Sequence, residues 1–350
     1  MKCHIYADNA ATTKLDTVAF EAMTPWLLEE YGNASQPYAF ARKPKKALAE
    51  ARTTIAECIG ALPEEIYFTS GGTESDNWVI KSSAFLDLDK RAMITSAFEH
   101  HAILHSCTVI ERLGYPVAYM WPTADGYITP EILEKYITGS TRIVSVMFAN
   151  NEIGTIQPIR ELCKVAHTHG ALFHTDAVQA VGHVKIDVHE LGVDFLSASA
   201  HKFNGPKGVG FLYIRKGVEL PPYADGGAQE NAHRAGTENI ASIIGMAAAL
   251  KANCDALEQN LQYISKLEHL LISMLDESEI AYRRNGGENR LPGLVSLSFP
   301  GKDGETILHR MDLMGISIST GSACDSVNTE ISHVLQAIML DEEHSKGTVR

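Results

Sequence analysis

From about residue 60 to residue 215 the sequence alternates short apolar runs with stretches whose apolar positions recur every three or four residues. Such alternation is the signature of βαβ units and a mostly parallel sheet. Candidate strands fall at residues 65–69, 92–95, 143–148, 172–175, 195–198 and 209–214, and candidate helices at 74–85, 102–113, 130–137 and 159–169. A sheet covered by helices on both faces needs a long chain, and 350 residues, 45% of them hydrophobic, supply one. Beyond Gly245 the pattern becomes one long amphipathic helix with a stripe of Leu257, Leu261, Ile264, Leu267, Leu271 and Met274, then short strands near 294–299 and 316–319. The expected organisation is a large α/β domain over residues 15–253 and a smaller α+β domain built from residues 1–14 and 254–350.

Charge and hydropathy exclude several partner classes. Lys and Arg total 30 against 43 Asp and Glu, a formal net charge of −13 that repels nucleic acid and anionic lipid. No apolar stretch approaches the roughly 18 residues of a membrane span. The start, MKCHIYADNAATT, has no apolar run behind a basic one. The expectation is a cytoplasmic protein with neither nucleic acid nor membrane as a direct partner. Its six cysteines are scattered without a CxxC pair, which fits reduced thiols. Cys58, Cys107 and Cys163 stand among Ile, Leu and Ala at helical spacing and read as small buried hydrophobes. Cys324, in STGSACDS, stands among small and polar residues that suit an exposed loop, where a thiol is a chemical liability unless it is used.

In open α/β sheets ligands collect at the carboxyl ends of the strands. The polar residues just past each predicted strand form a set: Ser70-Gly71-Gly72-Thr73-Glu74-Ser75, Glu99-His100-His101, Asn150-Asn151-Glu152, Asp176-Ala177-Val178-Gln179 and Ser199-Ala200-His201-Lys202. The Gly-Gly turn, with successive free N–H groups, can hold a phosphate, although a Gly-Gly turn capped by Thr is also a common helix start. His101 and His105 are four apart on a predicted helix, a spacing that can bind zinc with a third ligand; no HExxH pattern accompanies them, and the reading assigns no metal. Lys202, in SASAHKFNGPKGVG, sits at the end of a buried strand, where lost solvation makes a lysine nucleophilic. A Schiff-base lysine, an acid for a pyridine nitrogen, phosphate donors and an imidazole over the ring are together what pyridoxal phosphate asks for.

With these residues the sequence resembles the cysteine desulfurases of nitrogen fixation and iron–sulfur cluster assembly, which are fold-type I pyridoxal phosphate enzymes with an aspartate aminotransferase-like architecture. The resemblance runs through YADNAATT, YGNASQPY, FTSGGTESDN, TSAFEHHAI, ANNEIGTIQPI, HTDAVQAVG, SASAHKFNGPKGVG, RAGTENI and STGSACDS, in order. It implies a cofactor, pyridoxal 5′-phosphate, bound by the large domain and joined to Lys202. Asp176 pairs with its pyridine nitrogen, Gln179 reaches its phenolic oxygen, and His100 stacks over its ring. Gly72, Thr73, Ser199 and His201 match phosphate-binding positions, and Thr237 matches the one supplied by the second subunit of a homodimer. Asn151 and Arg350 match residues that hold the substrate carboxylate, and Cys324 the catalytic thiol, on the small domain. The implied reaction converts L-cysteine to L-alanine, leaves a persulfide on Cys324, and passes the sulfur to an acceptor protein such as an iron–sulfur scaffold or a sulfur relay for thio-cofactor or tRNA synthesis.

The sequence also departs from the family pattern. Asn33-Ala34-Ser35-Gln36-Pro37-Tyr38 replaces a Pro-Ser-Ser and a His at the active-site rim, and Asp325 beside Cys324 is expected to raise the thiol pKa. The sequence stops at Arg350, where relatives continue into a further helix, so the expectation is a shortened small domain with a mobile terminal Arg350. Two other functions stay open: an aminotransferase, or a selenocysteine or cysteine-sulfinate lyase, with Cys324 incidental; and a catalytically silent sulfur-relay subunit.

Overall fold

The computed structural model describes residues 4–86, 90–321 and 331–350. The strands are β1 (Ile5–Tyr6), β2 (Ile66–Thr69), β3 (Ala92–Ser96), β4 (Val117–Met120), β5 (Thr141–Ser145), β6 (Leu172–Asp176), β7 (Phe195–Ser199), β8 (Gly210–Ile214), β9 (Arg283–Arg284), β10 (Leu297–Ser298), β11 (Ile316–Ser317) and β12 (Thr348–Val349). Six helices matter most here: α1 (Thr17–Leu28), α2 (Arg42–Ile59), α3 (Gly72–Ser83), α4 (His101–Arg112), α5 (Pro130–Tyr136) and α6 (Ile159–Thr168).

Strands β2 to β8 form a seven-stranded sheet in the order β2-β8-β7-β6-β5-β3-β4. Only β8 runs against its neighbours, pairing antiparallel with both β2 and β7. The remaining strands therefore point their carboxyl ends to one side, which is the mostly parallel α/β architecture expected from the sequence. Alternation along each strand divides the apolar residues between two cores. Ile94, Val144, Leu196, Ala198, Phe211 and Tyr213 face one core with α2, α5 and α6. Met93, Ile143, Phe195, Leu212 and Ile214 face the other, against Trp78 and Val79 of α3 and Ile103, Cys107 and Ile110 of α4. Helix α6 shows the sequence logic: Ile159, Leu162, Cys163 and Ala166, at helical spacing, are its buried residues.

Three differences from the sequence expectation are informative. Strand β4 was not anticipated; it lies at the sheet edge and buries only Met120 fully, so its apolar signal is weak. The apolar run 143–148 begins its pairing earlier, at Thr141, and the strand proper ends at Ser145, although the amides of Val146 and Phe148 still donate to the carbonyls of His174 (3.1 Å) and Asp176 (2.8 Å). The long amphipathic helix forms at Leu257–Asp276, but none of its residues is buried. Leu267, Leu271 and Met274 stay largely exposed, because the described residues leave that side open.

The smaller sheets reach toward the same edge as the site. β12, β10 and β9 form a three-stranded antiparallel sheet, and β1 pairs in parallel with β11. One close approach joins sheet and site: a Cβ on Gly210 of β8 would lie 2.4 Å from the Ala198 carbonyl oxygen and 2.7 Å from Gly71 Cα. Gly210→Ala is therefore expected to destabilise the protein by about 1–3 kcal/mol through overpacking, read as a lower urea midpoint. An unchanged midpoint would show that the turn at Gly71 yields freely.

Candidate active site

The β2–α3 turn is built for close backbone approach. Gly71 caps α3 at φ +148°, a conformation that favours glycine, and a Cβ on Gly72 would meet Val178 Cγ2 at 2.4 Å. The turn is anchored from below, where Thr69 Oγ1 and Ser75 Oγ lie 2.9 Å apart. First-turn amides of a helix lack internal acceptors, so the N-terminus of α3 offers donors and a positive dipole end. Thr73 stands on this turn, and Ser199, at the end of β7, faces it: its Oγ lies 3.4 Å from where a Cβ on Gly71 would stand.

Asp176, at the end of β6, is 6% exposed and its Oδ1 accepts the Val178 amide at 2.9 Å. Burial raises its pKa from 3.8 to about 6. The sequence reading missed a second acid here. Asp76 follows Gly72 by four residues on α3, so it shares that helix face, and it is 1% exposed. Burial and the neighbouring Asp176 push its pKa well up, and its Oδ1, 3.7 Å from His174 Nε2, has no hydrogen-bond partner among the described residues. Behind the pair, His174 donates or accepts at both ring nitrogens, to Ser145 Oγ (2.8 Å) and Ser197 Oγ (3.0 Å). Burial lowers its pKa to about 3, so it is neutral.

Lys202 stands in the short helical turn Ala200–Lys202 that follows β7. Its ammonium donates to the carbonyls of Ala10 and Ala11, the latter at 2.9 Å, which lays the YADNAATT segment across the site. Gln179 Nε2 donates to the same Ala10 oxygen at 2.9 Å. The segment is held further by Thr13, whose amide and hydroxyl both donate to the His201 carbonyl at 2.9 Å. Burial, then Lys202, lower the His201 pKa to about 4.

His100 caps α4, its Nδ1 accepting the Ala102 amide at 3.1 Å. Burial, then Lys202, lower its pKa to about 4, so the ring is neutral and its proton sits on Nε2. Glu99, singled out from sequence beside His100 but given no role there, backs this residue. Its Oε1 accepts Ser96 Oγ (2.5 Å) and the Met147 amide (2.9 Å), and burial raises its pKa to about 8. His101 instead points to a ring cluster, 4.9 Å from His105 and 4.7 Å from His333 between centroids. Among the described residues no group of three or more His, Cys, Asp or Glu is arranged to hold a metal ion.

Arg350, expected to be mobile, makes several contacts here. Its amide donates to the Ser319 carbonyl at 2.7 Å, and its own carbonyl accepts the Ser319 amide at 3.0 Å. Nη2 pairs with Asp8 and Nη1 donates to the Asn151 carbonyl, both at 2.8 Å, while the buried Nε has no hydrogen-bond partner among the described residues. Backbone pairing with Ser319 and a buried ion pair with Asp8 thus act on Arg350 together.

One cavity of about 490 Å³ gathers Gly72, Thr73, His100, Asn151, Asp176, Gln179, Ser199, His201, Lys202 and Arg350, within the range of roughly 300–1,000 Å³ of small-molecule sites. Thr237 lines a second, smaller cavity of about 210 Å³ with Trp26, Tyr31 and Asn33. The departing segment at Asn33 belongs there too: Ser35 Oγ donates to Glu238 Oε1 at 3.2 Å. Cys324 and Asp325 lie outside the described residues.

Comparison with known proteins agrees with this geometry. The model of the aminotransferase class-V family matches residues 5–350. The cysteine desulfurase IscS of Dictyoglomus turgidum is 47% identical over 352 residues, spanning 100% of this chain and 89% of the relative. Among solved structures, a NifS-like protein superposes with a TM-score of 0.93 at 35% identity, covering 99% of this chain and 93% of that one. The structure of SspA in complex with cysteine gives 0.88 at 35% identity, covering 99% and 97%.

Burying Asp176 has a cost that pH exposes. Its raised pKa means that the penalty is absent below about pH 4 and complete above about pH 6, where the shift from 3.8 to about 6 amounts to about 3 kcal/mol. Asp176→Asn is expected to stabilise the ligand-free protein at pH 8 by about 1–3 kcal/mol and to give no gain at pH 4. Urea midpoints at the two pH values check this, and an equal gain at both would remove the explanation.

Proposed function

We propose that this chain, which belongs to the aminotransferase class-V family and within it to the cysteine desulfurases, uses the cavity around Lys202 to take the sulfur from L-cysteine with pyridoxal 5′-phosphate as cofactor. The observation that carries the reading is the convergence, in one cavity, of Lys202, the buried Asp176 and the side-chain-free turn at Gly71 and Gly72. These residues fit the cofactor. The turn has no room for a Cβ at Gly72, which would meet Val178, its amides suit a phosphate, and Asp176 is a buried carboxylate that a neighbouring cation would stabilise. Thr73, Ser199 and His201 complete the phosphate donors, and Gln179 and His100 flank the ring position. When bound, pyridoxal phosphate supplies the electron sink that makes bonds at the substrate α-carbon breakable.

The chain's own residues divide the remaining work. The Nε of Arg350, a buried donor without a hydrogen-bond partner among the described residues, is suited to a substrate carboxylate, and Asn151 adjoins it. Lys202 is the base for the α-proton, and the neutral His100 holds a proton on Nε2 for return to the product. Cys324, placed by its STGSACDS motif, attacks the substrate sulfur as a thiolate. The S–S bond forms as the C–S bond breaks, its electron pair going to the carbon side, which is protonated to alanine. The persulfide sulfur then goes to an acceptor protein serving iron–sulfur cluster assembly or a related sulfur pathway in the cytoplasm. The second cavity supports a homodimer, since Thr237 stands there beside Tyr31 and Leu27, both exposed, and would reach the phosphate of the other protomer.

Incubation with L-cysteine should release alanine and add one sulfur to Cys324, read by mass spectrometry. Cys324→Ser should abolish the persulfide, and Lys202→Ala should abolish both products. 3-Mercaptopyruvate in place of alanine would mark an aminotransferase, and alanine formed at an undiminished rate by Cys324→Ser would make the thiol incidental.

A further inference from the structure

The loop over residues 224–239 contains strained backbone. Glu230, Asn231 and Ala232 stand consecutively at φ +46°, +56° and +62°, a region that residues with side chains rarely enter. Strain of this kind persists only where the surroundings impose it, and two ion pairs do so. Arg52 grips the buried Glu230 carboxylate with both Nη atoms, at 2.6 and 2.8 Å, and Glu230 Oε2 also accepts the Phe68 amide at 2.9 Å. Four residues on, Arg234 holds Glu74 by a second two-point contact, Nε to Oε1 at 2.8 Å and Nη2 to Oε2 at 3.2 Å. Glu74 Oε2 in turn accepts the Ser70 amide at 2.9 Å.

The two clamps straddle the glycine turn. Phe68 is in β2 just before it, and Glu74 is in the first turn of α3 just after it. Glu74 also lines the main cavity, where an isolated carboxylate would repel a phosphate dianion. Burial pushes the Glu74 carboxyl up, but its bonds to Arg234 and Ser70 outweigh burial and keep it below the ordinary range, so it is ionised. The acid is tolerable there because Arg234 cancels its charge and because its second function is to hold the Ser70 amide in place.

We infer that Arg234 is a positioning residue for the cofactor phosphate, neutralising Glu74 and bracing the turn at residues 70–73 through the same loop that carries Thr237. The inference rests on the pyridoxal phosphate reading above. It ties the phosphate cradle of one protomer to the segment that this reading extends to the other, so the two phosphate contacts are set by one piece of backbone.

The test is a titration of the full chain with pyridoxal phosphate, followed by absorbance, with inorganic phosphate as competitor. Glu74→Gln should weaken cofactor binding about fivefold even though it removes a negative charge from the cradle. Arg234→Gln, which leaves the partly buried Glu74 carboxylate without its cation, should weaken it about thirtyfold or more, with the same order of loss for inorganic phosphate. The double variant should recover to the level of Glu74→Gln alone. A folding defect would instead accumulate in the double variant, so recovery separates positioning from general damage. Binding by Glu74→Gln as tight as the wild type, or a double variant no better than Arg234→Gln, would overturn the inference while leaving the cofactor reading intact. A wild-type chain that binds no pyridoxal phosphate would remove both.

Discussion

A buried carboxylate at the end of a buried strand governs this structure. Asp176 closes β6 in the middle of the sheet, enclosed between β5 and β7 except where it faces the cavity. Isolated, it is a liability, as its raised pKa shows. Its surroundings make sense as a site waiting for a cation. His174 is kept neutral behind it, Asp76 is pushed toward its protonated form beside it, and the nearest lysine, Lys202, is turned toward backbone carbonyls. The sheet supplies stability so that this one charge can be misplaced.

The other parts of the site follow from strand direction. Because β2, β3, β5, β6 and β7 all run the same way, the turn at Gly71, the Glu99-His100 pair, Asn151, Asp176 and Lys202 arrive at one edge from positions spread over 130 residues of sequence. The reversed strand β8 then brings Gly210 under Gly71, where only glycine at 210 lets the backbones pass, while Gly71 is favoured by its positive φ. Fold and site are thus connected through backbone contact rather than through side chains alone.

Much of this was legible in the sequence for a definite reason. Strand ends carry polar residues immediately after apolar runs, a local signal, and the motif resemblance assigned roles to them. What stayed hidden was pairing over long separations. Asp76 looks like an ordinary polar helix residue until Asp176 is seen beside it. Glu99 is buried only because Met147 and Ser96 fold over it. Asp8 and Arg350 lie at opposite ends of the sequence, and neither residue hints at the other. The two clamps on the 224–239 loop are likewise contacts across more than 150 residues, and the strain that they impose has no signature in composition. Strand β4 failed to register because an edge strand need not be continuously apolar.

Arg350 shows how far such pairing reaches into chemistry. Its backbone exchanges two hydrogen bonds with Ser319, and the Ser319 hydroxyl donates to the Gly321 carbonyl at 3.0 Å. Cys324 is three residues further along the sequence. The residue proposed to hold the substrate carboxylate and the root of the segment bearing the proposed thiol therefore share one anchor. Asp8 fixes the guanidinium of that anchor, and residues 10 and 11 receive the Lys202 ammonium. Carboxylate ligand, thiol root and lysine are consequently referred to the same short stretch of backbone near the start of the chain. Any shift of that stretch would therefore act on all three together. A site assembled from three distant parts of the sequence can keep its geometry in this way without making the whole protein rigid.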